Sequence, residues 1–441
     1  MWNPSMETMP RAAIERLQLD RLRGVAARVY ERVPLYRERF DEAGVRPDAI
    51  RSLHDRLRLP FTLKRDFRDQ YPFGLFASPQ HDVVRIHASS GTTGKPTVVG
   101  YTRADIATWA EVCARCLAAA GARPGDVFQN AYGYGLFTGG LGMHYGGELM
   151  GMSVLPVSGG NTDRQIMLLQ DFKVRVMACT PSYALTLAEA LTAKDIPAGS
   201  LSLRVGVLGA EPWTEAMRRQ IEAQLMVDAV NIYGLSEIIG PGVSNECVEA
   251  KSGSHIFEDH FLPEVVHPET GAPLPPGAVG ELVITTLTKE ALPVIRYRTG
   301  DLTSINPDPC RCGRTHVRMG QVVGRTDDML IIRGVNVFPS QVEAALLGIA
   351  GLSAHYQLVV TRERTLDDLE VAVEVDEEFA RGLHGGVNET HPQAAALVEQ
   401  CGQRLRSALG IATKVTLAAP GSLPRSEGGK LRRVRDERRL G

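Results

Sequence analysis

The sequence is short of every extreme that would assign it to a special class. Its formal net charge is −2 with 23% charged residues, so no excess of one sign draws it to nucleic acid or to a membrane surface. Seven cysteines in 441 residues are an odd number spread thinly, which argues against a secreted disulfide scaffold. No apolar run approaches the roughly 18 residues needed to cross a bilayer. The opening stretch MWNPSMETMPRAAIERLQLDRLRG carries acids early and lacks the apolar core of a signal peptide. A cytoplasmic protein with no membrane and no nucleic-acid partner is expected.

What is present is an ordinary globular composition, 44% apolar, on a chain long enough for two or three domains. Residues 11 to 60 read as helical and amphipathic. From DVVRIHAS onward strand and helix patterns alternate: ADIATWAEVCARCLAAAG, NTDRQIMLLQDF, PSYALTLAEALTA and WTEAMRRQIEAQ suit helices, while VRVMACT, LRVGVLG and AVNIYG suit strands. That alternation predicts a layered α/β fold with a substantially parallel sheet. After Lys251 turns and short strands dominate, and from about Met329 a compact α+β unit follows. The expected organisation is a large α/β N-terminal domain, residues 1–326, and a small α+β C-terminal domain, residues 327–441.

One loop stands out, ASSGTTGKPTVVGYT. A Walker-type loop needs four residues between its first glycine and Gly-Lys, then Ser or Thr for magnesium. Here Gly91 and Gly94-Lys95 are two residues apart, and Pro96 follows. Glycines that turn backbone N–H groups inward, hydroxyls from Ser89, Ser90, Thr92 and Thr93, and the charge of Lys95 still suit a phosphate. A Gly/Ser/Thr-rich surface hairpin fits the same composition.

Four further stretches follow in order: YGLSE at 233–237, RYRTGD at 296–301, GRTDDMLIIRGVNVFP at 324–339 and PRSEGGKLRR at 424–433. Together with SSGTTGKP they resemble the acyl-adenylate-forming enzymes. Within that superfamily, LPFTLKRDFRDQYPFGLFA, NIYGLSEIIGPGVSNEC and LTKEALPVIRYRTGDL look like the phenylacetate–CoA ligase family, from about Leu59 to Glu343.

The resemblance implies a large adenylate-forming domain with a small mobile lid. It also implies ATP, Mg2+ and coenzyme A as reactants or cofactors, and an aryl acetic acid as substrate, as in phenylacetate catabolism. Residues Ser89 to Lys95 would wrap the β- and γ-phosphates. Glu237 would bind magnesium, Tyr233 would stack on adenine, and Gly234 would let the nucleotide approach. Asp301 would grip the ribose hydroxyls, with Arg325 as a second contact and Glu211 on the adenine side. Lys430 would neutralise charge developing at the α-phosphate, and Asp327 would be the hinge. A homodimer is expected from relatives. Two other outcomes share these motifs: transfer of the acyl group to a carrier protein or amine, and a catalytically silent adenylate-binding protein.

Two clusters are read from their residues. NAYGYGLFTGGLGMHYGGELMG interleaves aromatics with glycine; Tyr132, Tyr134 and Phe137 could wall an aryl slot or pack in the core. Cys310 and Cys312, with Cys247 and His255, could close a structural zinc site, with His260 and His316 as substitutes, or remain free thiols. Cys113 and Cys116 fall on one helical face and read as packing residues.

Overall fold

The computed structural model describes residues 1–88, 96–326, 330–332, 335–363, 366–383, 387, 391–425 and 433–437. Ser89 to Lys95, Asp327 and Lys430 lie outside the described residues. Among the described residues no helix is long and apolar enough to cross a membrane.

The alternating region builds one half of a nine-stranded sheet. Ser153–Leu155, Val127–Asn130, Val176–Cys179, Val205–Gly209 and Asp228–Leu235 lie side by side and parallel. The three inner strands, Val127–Asn130, Val176–Cys179 and Val205–Gly209, are short and almost wholly buried, as helix-covered parallel strands are. The other half is antiparallel: Asp228–Leu235 turns back into Gly240–Glu246, followed by Ser254–Ile256, Arg318–Met319 and Ile305–Asn306. A four-stranded antiparallel sheet, Phe261–Val266, Gly280–Thr286, Tyr297–Thr303 and Gly324–Arg325, completes the large domain.

Helix Arg103–Ala119 starts at a reciprocal cap. The Thr102 N–H donates to Asp105 Oδ2 (2.9 Å) and the Asp105 N–H to Thr102 Oγ1 (3.1 Å). Asp105 also accepts the N–H groups of Glu290 and Ala291 at 2.7 and 2.9 Å, so the same cap fixes the LTKEAL stretch. Helix Gly139–Leu149 lies across this helix. A Cβ at Gly142 would stand 2.4 Å from the Trp109 ring, and one at Gly146 would stand 2.4 Å from Cys113 Cβ. Only bare backbone allows that approach. Cys113 and Cys116 are buried in this packing, and burial pushes both thiols up.

The small domain has its own core, running from Leu330 to Leu417. A four-stranded mixed sheet carries Lys414–Ala418, Leu366–Val375, Leu352–Glu363 and Val434–Asp436 in that order. Helices Pro339–Leu346 and Pro392–Leu409 supply buried apolar faces to that core. Leu347 and Ala354 pack against the large domain's second core cluster.

Candidate active site

Three of the expected nucleotide residues meet at one point. Asp301 is buried in the strand Tyr297–Thr303, directly across from Arg325 on the neighbouring strand. The Arg325 guanidinium donates to Asp301 Oδ1 and, at 3.2 Å, to the Thr299 carbonyl. The Tyr233 phenol donates to Asp301 Oδ2 at 2.6 Å. Burial and then the Asp301 charge push that phenol well above its ordinary range. Tyr233 therefore reaches this point through its hydroxyl, a role that an adenine-stacking assignment did not contain.

Gly234 is required by the hairpin itself. A Cβ there would lie 1.9 Å from the Gly240 carbonyl oxygen.

Glu237 sits in the turn between Asp228–Leu235 and Gly240–Glu246, half-buried. Burial and then the Glu237 charge push the Tyr297 phenol well up, and that charge is also felt at Tyr101. A half-buried carboxylate is a hard oxygen donor of the kind magnesium takes. Glu211 follows Val205–Gly209 and accepts the Ser182 N–H at 2.6 Å. Its charge acts on Tyr132 and, from the small domain, on Glu343 and Tyr356.

Tyr132, Tyr134 and Phe137 differ in burial. Tyr132 is buried in the main core. The Tyr134 hydroxyl accepts from Asn130 Nδ2 at 2.9 Å and lies 3.2 Å from His144 Nδ1. Phe137 is exposed. The room beside Gly139 and Gly140 is filled by the rings of Phe137 and Tyr134. Tyr132 thus takes the packing alternative, while Tyr134 and Phe137 stand at the partly exposed start of the glycine-faced helix Gly139–Leu149.

The described residues nearest Lys430 in the chain, Arg425 before it and Arg433 after it, each meet a buried carboxylate. Before it, the Arg425 guanidinium pairs with the buried Glu374 carboxylate, which also accepts the Leu423 N–H at 3.3 Å. After it, Arg433 lies 3.7 Å from Glu343 and over the Tyr356 ring at 4.2 Å. Tyr356 in turn donates to Glu343 at 3.1 Å. Burial raises the Glu343 carboxyl even so, because Arg433 offsets only part of the desolvation. Sequence reading singled out none of Glu343, Tyr356, Glu374 or Tyr297. For Glu343 and Tyr297 the signal was membership in SQVE and RYRTGD; Tyr356 and Glu374 lie in strand patterns that carry no such signal.

The cysteine pattern does converge. One ligand atom from each of Cys247, His255, Cys310 and Cys312 lies within 4.8 Å of the others. His260 and His316 are engaged elsewhere. His260 Nδ1 lies 2.8 Å from Thr288 Oγ1, and His316 Nε2 lies 3.0 Å from the Met6 carbonyl.

Two family models match, AMP-binding enzyme over residues 28–288 and AMP-binding enzyme C-terminal domain over residues 334–438. The phenylacetate-coenzyme A ligase of Thermus thermophilus is 61% identical over 100% of both chains. That of Escherichia coli is 52% identical, covering 99% of this chain and 97% of its own. The chain belongs to the phenylacetate–coenzyme A ligase family of AMP-binding enzymes.

Solved structures place the arrangement of domains. A 2-hydroxyisobutyryl-CoA ligase in the postadenylation state with 2-HIB-AMP matches with TM-score 0.90 at 31% identity, covering 98% of this chain and 92% of that one. The same ligase with 2-HIB-AMP and CoA in the thioesterification state matches with only 0.72 at 32% identity, covering 99% and 92%. Sequence and coverage are alike in the two comparisons, so the difference is one of arrangement. This member of the phenylacetate–coenzyme A ligase family is more similar to that ligase's postadenylation structure than to its thioesterification structure.

Proposed function

We propose that this chain activates phenylacetate with ATP and passes the acyl group to coenzyme A, releasing AMP and pyrophosphate. A carboxylate resists a thiol because oxide is a poor leaving group. Attack of the carboxylate oxygen on the α-phosphorus expels pyrophosphate and turns that oxygen into part of a phosphate leaving group. The coenzyme A sulfur then attacks the carbonyl carbon, its proton is lost, and AMP departs.

The observation that carries this reading is the buried Asp301 carboxylate bracketed by Tyr233 and Arg325. A carboxylate can accept several hydrogen bonds at once, and a buried one oriented by a phenol and a guanidinium suits the grip on a ribose diol. Glu237 would hold magnesium, which when bound supplies charge neutralisation at the phosphates. Ser89 to Lys95 would cradle those phosphates. Lys430 would steady the charge of the first half-reaction, and Asp327 would carry the rotation to the second. The acid would enter beside the partly exposed start of the Gly139–Leu149 helix, and a cytoplasmic homodimer is the expected form.

The test is a panel of acids with ATP, magnesium and coenzyme A, read by AMP release. Phenylacetate should exceed benzoate and octanoate by more than about tenfold, the scale set by one or two methylenes in an apolar pocket. Equal rates across the panel would remove the substrate assignment. Lys430→Ala should lose phenylacetyl-AMP formation yet still convert supplied phenylacetyl-AMP to the thioester. Equal loss of both halves would defeat the division of labour.

A further inference from the structure

Three thiols and one imidazole meet in the large domain at a place that the ligation chemistry does not use. Cys247 follows the strand Gly240–Glu246, and His255 lies in Ser254–Ile256. Cys310 and Cys312 lie in the loop that joins Ile305–Asn306 to Arg318–Met319. The two sulfurs of Cys247 and Cys310 are 3.7 Å apart, and Cys312 Sγ is 3.4 Å from His255 Nε2. A disulfide would need about 2.05 Å. A tetrahedral zinc ion with bonds of about 2.3 Å to sulfur and 2.0–2.1 Å to nitrogen has S···S edges of about 3.8 Å and S···N edges of about 3.6 Å. These two separations match tetrahedral edges, and all four ligand atoms lie within 4.8 Å of one another.

The surroundings agree with ligation. His255 Nδ1 lies 3.2 Å from the His316 carbonyl oxygen. That carbonyl can only accept, so Nδ1 carries the proton and the Nε2 lone pair faces the sulfurs. Metal-bound histidines are held by an outer partner of this kind. Cys312 Sγ accepts the Arg314 N–H at 3.5 Å. Cys247, His255 and Cys310 are buried, and Cys312 is half-buried. Four protein ligands leave no open position, which marks a structural site.

The residues just beyond Cys312 hold the start of the chain. The buried Arg314 donates to the fully buried Glu7 carboxylate at 2.6 Å. The Thr315 N–H donates to the Glu7 carbonyl at 3.0 Å, and His316 Nε2 lies 3.0 Å from the Met6 carbonyl. We propose that Cys247, His255, Cys310 and Cys312 bind one zinc ion that ties the 307–317 loop to the antiparallel end of the central sheet, and through that loop secures residues 1–9.

The experiment uses the full chain purified without chelator. Elemental analysis should find about one zinc per chain, the occupancy of a closed four-ligand site. Cys312, the most accessible of the four, should alkylate at least about tenfold faster once a strong chelator has withdrawn the metal, because a metal-bound thiolate is released only with its ion. Proteolytic cleavage within residues 1–9 should rise in step. Cys310→Ser should lower zinc content, and if that variant fails to fold, the native thiol and metal measurements still decide. Well under one zinc per several chains with Cys312 labelling unchanged by chelator would overturn the proposal. A Cys247–Cys310 disulfide detected by mass, or iron in place of zinc, would also overturn it.

Discussion

The Tyr233 hydroxyl stands 2.6 Å from Asp301 Oδ2, joining the YGLSE turn to the RTGD strand through one hydrogen bond. Two sheets meet there: Tyr233 belongs to the nine-stranded sheet and Asp301 to the four-stranded one. Arg325 holds the other carboxylate oxygen. The two contacts fix the orientation of the carboxylate plane.

Asp301→Ala should therefore raise the KM for ATP far more than Tyr233→Phe. Hydrogen bonds to a charged group contribute about 1.5–3 kcal/mol each. Loss of both ribose contacts with Asp301→Ala predicts at least about a hundredfold rise, whereas loss of an orienting partner predicts about tenfold or less. Steady-state kinetics with ATP varied at saturating acid and coenzyme A would measure both. A larger effect from Tyr233→Phe would place the ribose contact elsewhere.

The pairing of Arg425 with Glu374 predicts an effect confined to one half-reaction. Glu374→Gln weakens the clasp on the chain five residues before Lys430, and misplacing a catalytic group by about 1 Å costs about a hundredfold. ATP–pyrophosphate exchange should fall by one to two orders of magnitude, about 1.4–2.7 kcal/mol. Thioester formation from supplied phenylacetyl-AMP should stay within about threefold of the parent, since that step makes no demand on Lys430 in the proposed scheme. A uniform decline in both would point to general destabilisation of the small domain.

Lys289 predicts a pH dependence with a definite sign. Its ammonium lies 3.5 Å from the centre of the Tyr101 ring, and its Nζ has no hydrogen-bond partner among the described residues. Burial lowers its pKa to about 8, and the Asp105 charge opposes that only in part. The unfolded chain would titrate this group near 10.4. Between those values the unfolded state binds more protons, so stability rises with pH across that window, and below it the burial penalty is complete. Lys289→Met should raise the unfolding temperature at pH 7, and its advantage should shrink by on the order of 3 kcal/mol as pH approaches 10.5. Paired unfolding curves of the two proteins at several pH values cancel the other titrating groups. A pH-independent difference would contradict the assignment.

Gly146→Ala separates local propensity from packing. On propensity alone, alanine in a helix interior gains about 1 kcal/mol over glycine. The new methyl would stand 2.4 Å from Cys113 Cβ and 2.8 Å from its carbonyl carbon, and overpacking of that kind costs about 1–3 kcal/mol. Net loss of stability is expected, read as faster hydrogen exchange in Arg103–Ala119 and an earlier unfolding transition. A stabilised variant would mean that the two helices can separate freely.

That same helix marks where sequence reading stopped. Strands such as Val205–Gly209 and helices such as Glu215–Leu225 follow from apolar periodicity, which acts within one element. Gly139–Leu149 carries five glycines, whose local preference opposes a helix, and it is the close packing of neighbours such as Trp109, Cys113 and Phe128 that makes their bareness favourable. The aromatics beside it invited a binding slot for the same reason, since sequence records that rings and gaps are close but not which ring fills which gap.

The order of residues determined the elements, the two-domain plan and the nucleotide-handling family, because motif spacing and periodicity are properties of neighbours along the chain. Tertiary structure alone decided that Tyr233 orients Asp301, that Arg425 and Arg433 flank Lys430 with anchors on Glu374 and Glu343, and that four scattered metal-type ligands share one centre. Each of these joins residues tens or hundreds of positions apart, and such distances are set by how sheets and helices pack, which no local pattern encodes.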